Sequence, residues 1–538
     1  MPGLRRWQMT LLGCGGVIGA AYGLMRANRL PRRKEGPATP PPACGDTTLS
    51  RVVADRAALH PGLSGVHLLA DAVDAFAARL LLVQAAECTI DLQYYIWHGD
   101  RTGTLLLEAV HEAAERGVRV RLLLDDNGIA GLDGVLAALN AHANIEVRLF
   151  NPFRIRYPKS IGFLLDFGRL NRRMHNKSFT VDGALTIVGG RNIGDEYFGA
   201  GDGALFSDLD VLAIGPVARE VEADFERYWT CDSAYPARQI LPLLGRRKRA
   251  KLRSRASVVQ RDASAQRYVR RLQNLPLLRQ LMEGRMSFEW AQVRMISDDP
   301  AKIVRDMEYE NLLAGKLDGA IGKPKREMTV VSGYFVPGEE GCRQLGNYAR
   351  SGVRVAVLTN GYSATDVALV HAGYVPWRKR LLKAGVRLYE TAAQVRDVPS
   401  KKQRREGAKL GIGSRLRATG SGSFAALRSG ASTIHAKTIT ADRERLFVGS
   451  FNFDPRSLRL NTELGFVIFS PRLARQVAEA FETIIPAAAY EVVLEGEELR
   501  WLAGPPGSEA PLAREPGMSL FDRLMIGLAS RLPIGWLL

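Results

Sequence analysis

The chain has 538 residues, of which 46% are hydrophobic, and a formal net charge of +18. This length is about three times that of a usual domain, which indicates two domains or one large pseudo-symmetric body. The positive charge favours polyanions or anionic membrane surfaces as partners. The five cysteines show no CxxC or CxH spacing, which argues against a structural zinc site and a disulfide framework, so we predict free or buried thiols.

The first 45 residues are predicted to attach the folded part of the chain to a membrane. Trp7 to Met25 form a run of 19 residues without a charge, which is within the range of a single spanning helix. A membrane anchor is one interpretation. A cleaved signal peptide is another, and the segment from Leu11 to Cys14 loosely resembles a lipoprotein cleavage box. The proline-rich residues 37–43 follow as a stiff linker.

The first body, residues 46–244, has the alternation of strands and helices that is typical of a βαβ unit. Apolar residues at helical spacing predict a helix over residues 62–84. The elements predicted next are a strand over 86–97, a helix over 102–116 and strands over 118–124 and 144–150. A further strand over 177–181 is expected to pair with 184–188 across an Asp-Gly turn.

The same order recurs in a second body, residues 301–500, beyond a basic linker over 245–300. RGVRVRLLLD of the first body matches SGVRVAVLTN of the second. The predicted strands are 328–336, 353–358, 386–390, 436–440 and 446–449, the predicted helices are 339–350 and 377–384, and 484–502 is expected to close the sheet or pack on it. This internal repeat predicts a duplicated α/β domain. The basic segments 245–255 and 401–422 are read either as solvated loops or as holders of anionic headgroups.

The C-terminal region, residues 501–538, contains an amphipathic helix. From Met518 to Leu538, the apolar residues that fall on one helical stripe are Leu520, Phe521, Leu524, Met525, Leu528 and Leu532. Such a stripe can lie on a membrane interface or dock on the core of its own protein, and the sequence leaves both open.

One polar pattern occurs twice in register. The matched pairs are His175 and His435, Lys177 and Lys437, Asp182 and Asp442, and Asn192 and Asn452. In both copies the Asn follows the His by 17 positions. We therefore interpret the two copies as two halves of one site.

The pattern indicates phosphodiester chemistry. A His and a Lys two positions apart on a strand project from the same face of the sheet, so an imidazole and an ammonium enter one cavity. One histidine can attack phosphorus while the other protonates the leaving alkoxide. The lysines and asparagines would stabilise charge on the phosphate oxygens, and no cluster at metal-ligand spacing competes with this scheme.

Carboxylates are expected behind the two histidines. Glu463, on the strand that follows the second motif, is predicted to hold His435, and Asp210, on the corresponding strand of the first half, to hold His175. Asp182 and Asp442 lie at turns beyond the motif strands, where we expect them to support the loops.

These residues resemble the phospholipase D superfamily, whose hallmark is HxKxxxxD twice per active site. The resemblance implies a phosphohistidine route, two pseudo-symmetric α/β sandwich domains that share one cleft, and no cofactor. Longer stretches, among them LQYYIWHGDRTGTLLLEAVHEAAERGVRVRLLLDD and VGSFNFDPRSLRLNTELG, resemble the bacterial type C cardiolipin synthase branch. This branch implies transfer of a phosphatidyl group from phosphatidylethanolamine or phosphatidylglycerol to phosphatidylglycerol at the bacterial inner membrane, by an anchored or peripheral protein. Nucleic acid is not an expected partner.

The two halves differ where a division of labour would be expected. Gly190 of the first half stands against Ser450 of the second, and Asp210 against Glu463. We predict that His175 is the nucleophile and His435 the acid and base. Three alternatives remain: a phospholipase D-type hydrolase, in which water accepts the phosphatidyl group; a nuclease, whose substrate is nucleic acid; and a non-catalytic binder of anionic lipids.

Overall fold

The computed structural model describes residues 45–200, 206–242, 285–365, 367–391, 433–503 and 510–531, with short pieces at 23, 26, 28–33, 266, 268–269, 272 and 280. The candidate anchor (apart from Gly23), the proline-rich linker and the basic segments 245–255 and 401–422 lie outside these residues. Within the described part of the chain, no helix is both long enough and apolar enough to cross a membrane.

Strands and helices alternate through most of the chain. The strands are β1 Ser64–Leu69, β2 Thr89–Ile96, β3 Arg119–Gly128, β4 Ile145–Phe150, β5 Ser178–Val181, β6 Leu185–Gly189, β7 Phe206–Ser207, β8 Asp210–Ile214, β9 Ala234–Pro236, β10 Glu289–Ser297, β11 Glu327–Ser332, β12 Arg354–Asn360, β13 Arg387–Thr391, β14 Thr433–Ile434, β15 Lys437–Ala441, β16 Arg445–Gly449, β17 Leu464–Phe469, β18 Ala489–Glu495 and β19 Glu498–Ala503. The helices are α1 Thr48–Ala58, α2 Ala72–Ala85, α3 Arg101–Glu115, α4 Asp133–Leu139, α5 Lys159–Leu165, α6 Phe167–Leu170, α7 Asp195–Phe198, α8 Pro216–Thr230, α9 Ala237–Ile240, α10 Leu313–Ile321, α11 Gly338–Arg350, α12 Ala368–Tyr374, α13 Arg378–Lys383, α14 Pro455–Arg459, α15 Pro471–Thr483, α16 Ile485–Ala488 and α17 Leu520–Ala529.

The two halves share one strand order. In the first half β4, β3 and β2 are parallel, and β5, β6 and β8 continue the sheet in antiparallel fashion. In the second half β13, β12 and β11 are parallel, and β15, β16 and β17 follow in the same way. The α/β duplication predicted from the sequence is therefore confirmed.

Strand β10 joins the halves into one sheet of 17 strands. Its first residues pair with β1 and its remaining residues with β17. Glu289–Ser297 thus belongs to the sheet, although the sequence analysis assigned residues 245–300 to a linker. An apolar cluster between the halves contains Val188 and Val211 of the first and Val448 and Phe466 of the second. This cluster fixes the two motif regions relative to each other, because close-packed side chains resist sliding.

The helix predicted over residues 62–84 is only partly correct. Residues 64–69 form β1, which pairs with β8 from Gly65 to Leu69, and the helix begins at Ala72 after the N-cap Asp71. The apolar residues Leu68 and Leu69 fit a helical pattern as well as a strand, and pairing with β8 decides between them. The expected closing segment is confirmed as the β18–β19 hairpin, which pairs with β13.

The prediction of free cysteines holds for two described positions and fails at a third. Cys231 and Cys342 are free. Cys88, just before β2, is disulfide-bonded. Cysteine spacing could not reveal this, because a disulfide depends on distance in space and not along the chain.

Candidate active site

Both histidines lie where a motif strand enters the middle of its half-sheet. β5 runs antiparallel to β2, and β15 runs antiparallel to β11, so the two motifs begin at the carboxyl ends of the central parallel strands. His175 and His435 are buried, with 6% and 7% of their surface exposed. The fold therefore presents each imidazole where the central parallel strands end, on a rigid backbone.

Backbone hydrogen bonds tie each histidine to the opposite half. The N–H of His175 donates to the carbonyl of Thr462 over 2.9 Å, and that of His435 donates to the carbonyl of Ser207 over 2.8 Å. The residue after each accepting carbonyl is acidic: Glu463 follows Thr462, and Asp208 follows Ser207. Each half thus places an acidic residue beside the histidine of the other half, in a pseudo-twofold arrangement.

The histidine–carboxylate pairs are crossed between the halves. The Nδ1 atom of His175 lies 2.8 Å from Oε2 of Glu463, and Nδ1 of His435 lies 2.6 Å from Oδ2 of Asp208. The predicted pairing of Glu463 with His435 is wrong, and so is that of Asp210 with His175. Each carboxylate holds a ring nitrogen so that Nε2 remains for chemistry.

Strand register explains why Asp208 was missed. Gly189 of β6 pairs with Asp210 of β8, and Gly449 of β16 pairs with Gly465 of β17. Two positions before these partners stand Asp208 and Glu463, which are therefore equivalent. Asp208 and Asp210 differ by one strand period, so side-chain alternation could not distinguish them. The sequence signal was the first of the two Asp residues in SDLDVLAIG.

Asp210 has a structural role. Its carboxylate accepts a hydrogen bond from Nη2 of Arg79 over 2.8 Å and lies 3.4 Å from Nη1 of Arg191. All three side chains are buried. Burial of a guanidinium is costly unless an anion accompanies it, so Asp210 neutralises these two arginines.

The Gly190 and Ser450 contrast now has a physical basis. A Cβ atom at Gly190 would lie only 2.2 Å from Oδ1 of Asp208, so the first half needs glycine there. Ser450 instead donates its hydroxyl to Oε2 of Glu463 and accepts the N–H of Leu464 over 3.0 Å. Glu463 therefore has a hydroxyl donor beside it that Asp208 lacks at the equivalent position.

The two lysines surround the histidines with positive charge. Nζ of Lys177 donates to the backbone carbonyl of His175 over 2.6 Å, and Lys437 makes the same contact with His435. Both side chains are buried. Burial lowers the pKa of Lys177 to about 7, and the nearby charge of Lys437 acts in the same direction. A phosphate anion entering between the lysines would stabilise their charged forms.

The two asparagines differ in their contacts. Asn192 accepts the N–H of Ile96 over 3.1 Å and donates to the hydroxyl of Tyr197 over 3.0 Å. Asn452 is also buried, yet its Oδ1 atom has no hydrogen-bond partner. A buried acceptor left in this state is suited to a substrate hydroxyl that donates to it.

The pKa values of the two histidine–carboxylate pairs differ. Burial, followed by the charges of Lys177 and Lys437, holds the pKa of His175 well below its usual value. Burial and Lys437 lower the pKa of His435 to about 4, although Asp208 opposes them. Both rings are therefore neutral at pH 7 before substrate binds, with a lone pair on Nε2.

The carboxylates are shifted in opposite directions. Burial raises the pKa of Glu463 to about 7, with Lys177 and Ser450 opposing it. Burial also acts on Asp208, but the charge of His435 and its hydrogen bond outweigh it and lower the pKa to about 2. Asp208 is thus fully ionised at neutral pH and is the better support for an imidazolium.

Several residues near the histidines had no predicted role. The rings of Tyr95 and Tyr197 stand edge-on to His175 and His435, with centroid distances of 5.0 and 5.2 Å. Arg456 on α14 donates to the side chain and carbonyl of Asn171, each over 2.8 Å, and its charge helps to lower the pKa of His175. Tyr197 and Arg456 follow the motif asparagines within five positions and Tyr95 lies on β2, but residue type alone gave no indication of their contacts.

Asp182 and Asp442 lie at the far ends of their strands, with φ angles of 52° and 57°. Asp182 accepts the N–H groups of Glu87, Cys88 and Thr89. Asp442 accepts those of Lys325, Arg326 and Glu327 over 2.7 to 3.2 Å. Both carboxylates thus hold the chain that enters the neighbouring parallel strand.

Asp442→Ala is expected to lower the free energy of unfolding by about 3 kcal/mol, because it leaves N–H groups without an acceptor. Chemical denaturation followed by circular dichroism measures this loss. Asp442→Asn retains one acceptor oxygen and should lose roughly half as much. An alanine variant that unfolds like the parent protein but has no turnover would instead place Asp442 in the chemistry.

Within the described residues one trio could hold a cation. Ligand atoms of His98, Asp100 and Glu196 lie within 4.8 Å of one another. His98 lies 3.0 Å from Glu196, and Asp100 accepts the N–H groups of Gly103 and Asp195. These contacts explain the trio as an N-cap of α3 with an attached ion pair.

Comparison with known proteins supports the resemblance to the phospholipase D superfamily that the two His–Lys motifs indicate. A family model described as "Cardiolipin synthase, PLD-like domain" matches residues 81–229 and 317–485. The chain is 47% identical over 480 residues to cardiolipin synthase C of Escherichia coli (strain K12), which covers 89% of this chain and 97% of that protein. It is 25% identical over 420 residues to the major cardiolipin synthase ClsA of Bacillus subtilis (strain 168), covering 78% and 68% of the two chains.

Among solved structures, phosphatidylserine synthase of Haemophilus influenzae Rd KW20 has a TM-score of 0.50 at 12% identity, covering 82% of this chain and 92% of that one. This likeness concerns the fold alone. Together with the duplicated His–Lys motifs and the family match over both halves, it leads to one conclusion: the chain belongs to the cardiolipin synthase family of phospholipase D-like phosphatidyl-transferring enzymes.

Proposed function

We propose that the protein makes cardiolipin by moving a phosphatidyl group from phosphatidylethanolamine or phosphatidylglycerol to a second phosphatidylglycerol. The observation that supports this best is the pair of crossed, buried His–carboxylate contacts, flanked by two lysines. Two imidazoles facing one phosphate allow attack and protonation at opposite sides of phosphorus. The catalytic set comprises His175, Lys177, Asn192, Asp208, His435, Lys437, Asn452 and Glu463.

In the first step Nε2 of His175 attacks phosphorus and a phosphorus–nitrogen bond forms. His435 takes up a proton at Nε2 when the phosphate anion binds, because the added negative charge joins that of Asp208 beside the ring. The bond from phosphorus to the headgroup oxygen breaks, and His435 gives this Nε2 proton to that oxygen. In the second step His435 accepts the proton from a hydroxyl of phosphatidylglycerol. The resulting oxygen attacks phosphorus, the phosphorus–nitrogen bond breaks, and His175 is restored.

The different carboxylates support this division of roles. A general acid must carry a proton when substrate is bound, and the ionised Asp208 stabilises the imidazolium of His435. A nucleophile must be neutral, and the pKa of His175 is held well below its usual value. Glu463 keeps Nδ1 of His175 oriented, and its raised pKa suits it to share the proton as positive charge develops on the ring.

Lys177 and Lys437 stabilise the negative charge that grows on the phosphate oxygens, and Asn192 and Asn452 orient the same group. The residue spans 46–244 and 301–500 each supply one His–Lys set, and neither is sufficient alone. Phospholipids are the substrates, the bacterial inner membrane is the site of action, and nucleic acid has no part in the reaction.

Purified full-length protein, given phosphatidylglycerol and phosphatidylethanolamine in mixed micelles, is expected to form cardiolipin that mass spectrometry detects. Because no step above uses a metal, addition of EDTA should leave the rate within about twofold. Phosphatidic acid as the only product would select hydrolysis over transfer. A loss of activity in EDTA that Mg²⁺ or Zn²⁺ restores would contradict the scheme and direct attention to His98, Asp100 and Glu196.

A further inference from the structure

Helix α17 turns its apolar stripe to solvent. Ile526 is its one buried residue, whereas five large apolar residues are exposed. These are Leu520 (72%), Phe521 (70%), Leu524 (70%), Met525 (47%) and Leu528 (58%). Leu532, the last residue of the predicted stripe, lies outside the described residues. An exposed apolar face of this extent requires a partner, since soluble surfaces rarely leave one uncovered.

The orientation of α17 is set by contacts that precede it. Glu515 accepts two hydrogen bonds from Arg378, over 2.6 and 2.8 Å, and lies 2.7 Å from Nε2 of His371. Leu512 pairs with Trp501 of β19 through two backbone hydrogen bonds. The tail is therefore attached to the second half through polar contacts and Ile526. Docking of the stripe on the protein's own core, one of the two predicted fates, is not what the structure contains.

A series of packing contacts connects the helix with the active site. It packs against α12, which follows β12. Val370 of α12 contacts an apolar cluster that includes Tyr334, and the ring of Tyr334 stands edge-on to His435 at 6.5 Å. Thus α17 lies on the side of the second half from which His435 enters the cleft.

The first half carries a second exposed apolar surface. Between β4 and the first motif, Tyr157, Leu164 and Phe167 are exposed by 74%, 85% and 39%. The segment ends against Asn151, whose amide donates to the carbonyls of Arg169 and Arg172, and it leads directly into His175. Both apolar surfaces therefore stand at the carboxyl ends of the central parallel strands, one in each half.

The exposed residues Tyr157, Leu164 and Phe167 are called the α5–α6 surface below. We propose that the α17 stripe and the α5–α6 surface form one docking face for an anionic phospholipid bilayer, which holds the cleft against the membrane. Exposed arginines accompany both surfaces, Arg154 in the first half and Arg514, Arg523 and Arg531 in the second. Apolar residues rimmed by arginine suit an interface of acyl chains and phosphate groups. The choice of phospholipid as partner rests on the proposed function.

Photocrosslinking of the full-length protein in vesicles of phosphatidylethanolamine and phosphatidylglycerol tests this face. A benzophenone amino acid replaces Leu524, Leu164 or, as a control of equal exposure, Leu59, which is 77% exposed. Leu59 ends α1, five residues before β1, whose other end approaches Asp210; it therefore lies away from the cleft. After irradiation, lipid adducts are expected at least tenfold more often at Leu524 and Leu164 than at Leu59.

A second variant tests whether the two surfaces share one membrane. With the probe at Leu164, Leu524→Glu combined with Leu528→Glu should lower the lipid adduct at least threefold, whereas Leu59→Glu should leave it unchanged. An unchanged adduct in the double variant would overturn the common face. Equal adducts at Leu59, or adducts of Leu524 with protein instead of lipid, would overturn the bilayer as the occupant. Crosslinking needs no turnover, so its failure is separate from a failure to make cardiolipin.

Discussion

His175→Ala is expected to abolish cardiolipin formation, with a loss on the order of 10⁵-fold, because the phosphatidyl group then has no nitrogen to receive it. His435→Ala is expected to lower the rate by about 10³-fold, since the leaving headgroup and the incoming hydroxyl lose their proton donor and acceptor. The two losses differ in kind as well as in size. Only the loss in His435→Ala should depend on whether the leaving group needs a proton in order to depart.

A phosphatidyl ester of p-nitrophenol distinguishes the two roles, because p-nitrophenolate leaves without a proton. His435→Ala should release about one equivalent of p-nitrophenolate in a burst and then stop, with the phosphatidyl group retained on His175. His175→Ala should give no burst. Absorbance measures the burst, and peptide mass spectrometry locates the adduct. A burst in His175→Ala with the adduct on His435 would reverse the roles.

Asp208→Asn and Glu463→Gln are each expected to lower cardiolipin synthesis by about 10²-fold. Each variant should impair the same reaction step as loss of the histidine that its carboxylate contacts in the opposite half. Asparagine at 208 no longer balances a charged His435, so Asp208→Asn should keep the p-nitrophenolate burst. Glutamine at 463 no longer accepts from Nδ1 of His175 as an anion, so Glu463→Gln should slow the burst itself. The crossed contacts of 2.6 and 2.8 Å are the basis of this expectation.

Asp210→Asn is the matched control, because it lies one strand period from Asp208 but contacts Arg79 and Arg191. It should lower thermal stability by leaving buried guanidinium charge unbalanced, while the folded protein keeps the leaving-group dependence of the parent. Stopped-flow absorbance and thermal denaturation separate the two effects. A slowed burst in Asp208→Asn with a normal burst in Glu463→Gln would assign the nucleophile to His435, the histidine that Asp208 contacts.

The repeated arrangement of strands and helices was accessible from sequence because its signals are local. Apolar alternation defined β2, β3, β4 and β5, and the repeated GVRV segments revealed the duplication. Predictions failed where a local pattern was compatible with two structures. Residues 64–69 fit a helix until β8 paired with them, and residues 289–297 were assigned to a linker until β1 and β17 enclosed them.

At the site, the sequence by itself determined the four polar pairs of the duplicated motif, since strand periodicity places each His and Lys on one face. It also identified Glu463 as the partner of a motif histidine, but predicted the wrong one, His435 in place of His175. Tertiary structure decided that His175 faces Glu463 across 288 positions of the chain and that Asp208 supports His435. It decided equally that the stripe of α17 faces outward. The physical reason is the same in both cases: the apolar packing between the halves and the Glu515 contacts set which distant surfaces meet, and no periodicity within one segment records that choice.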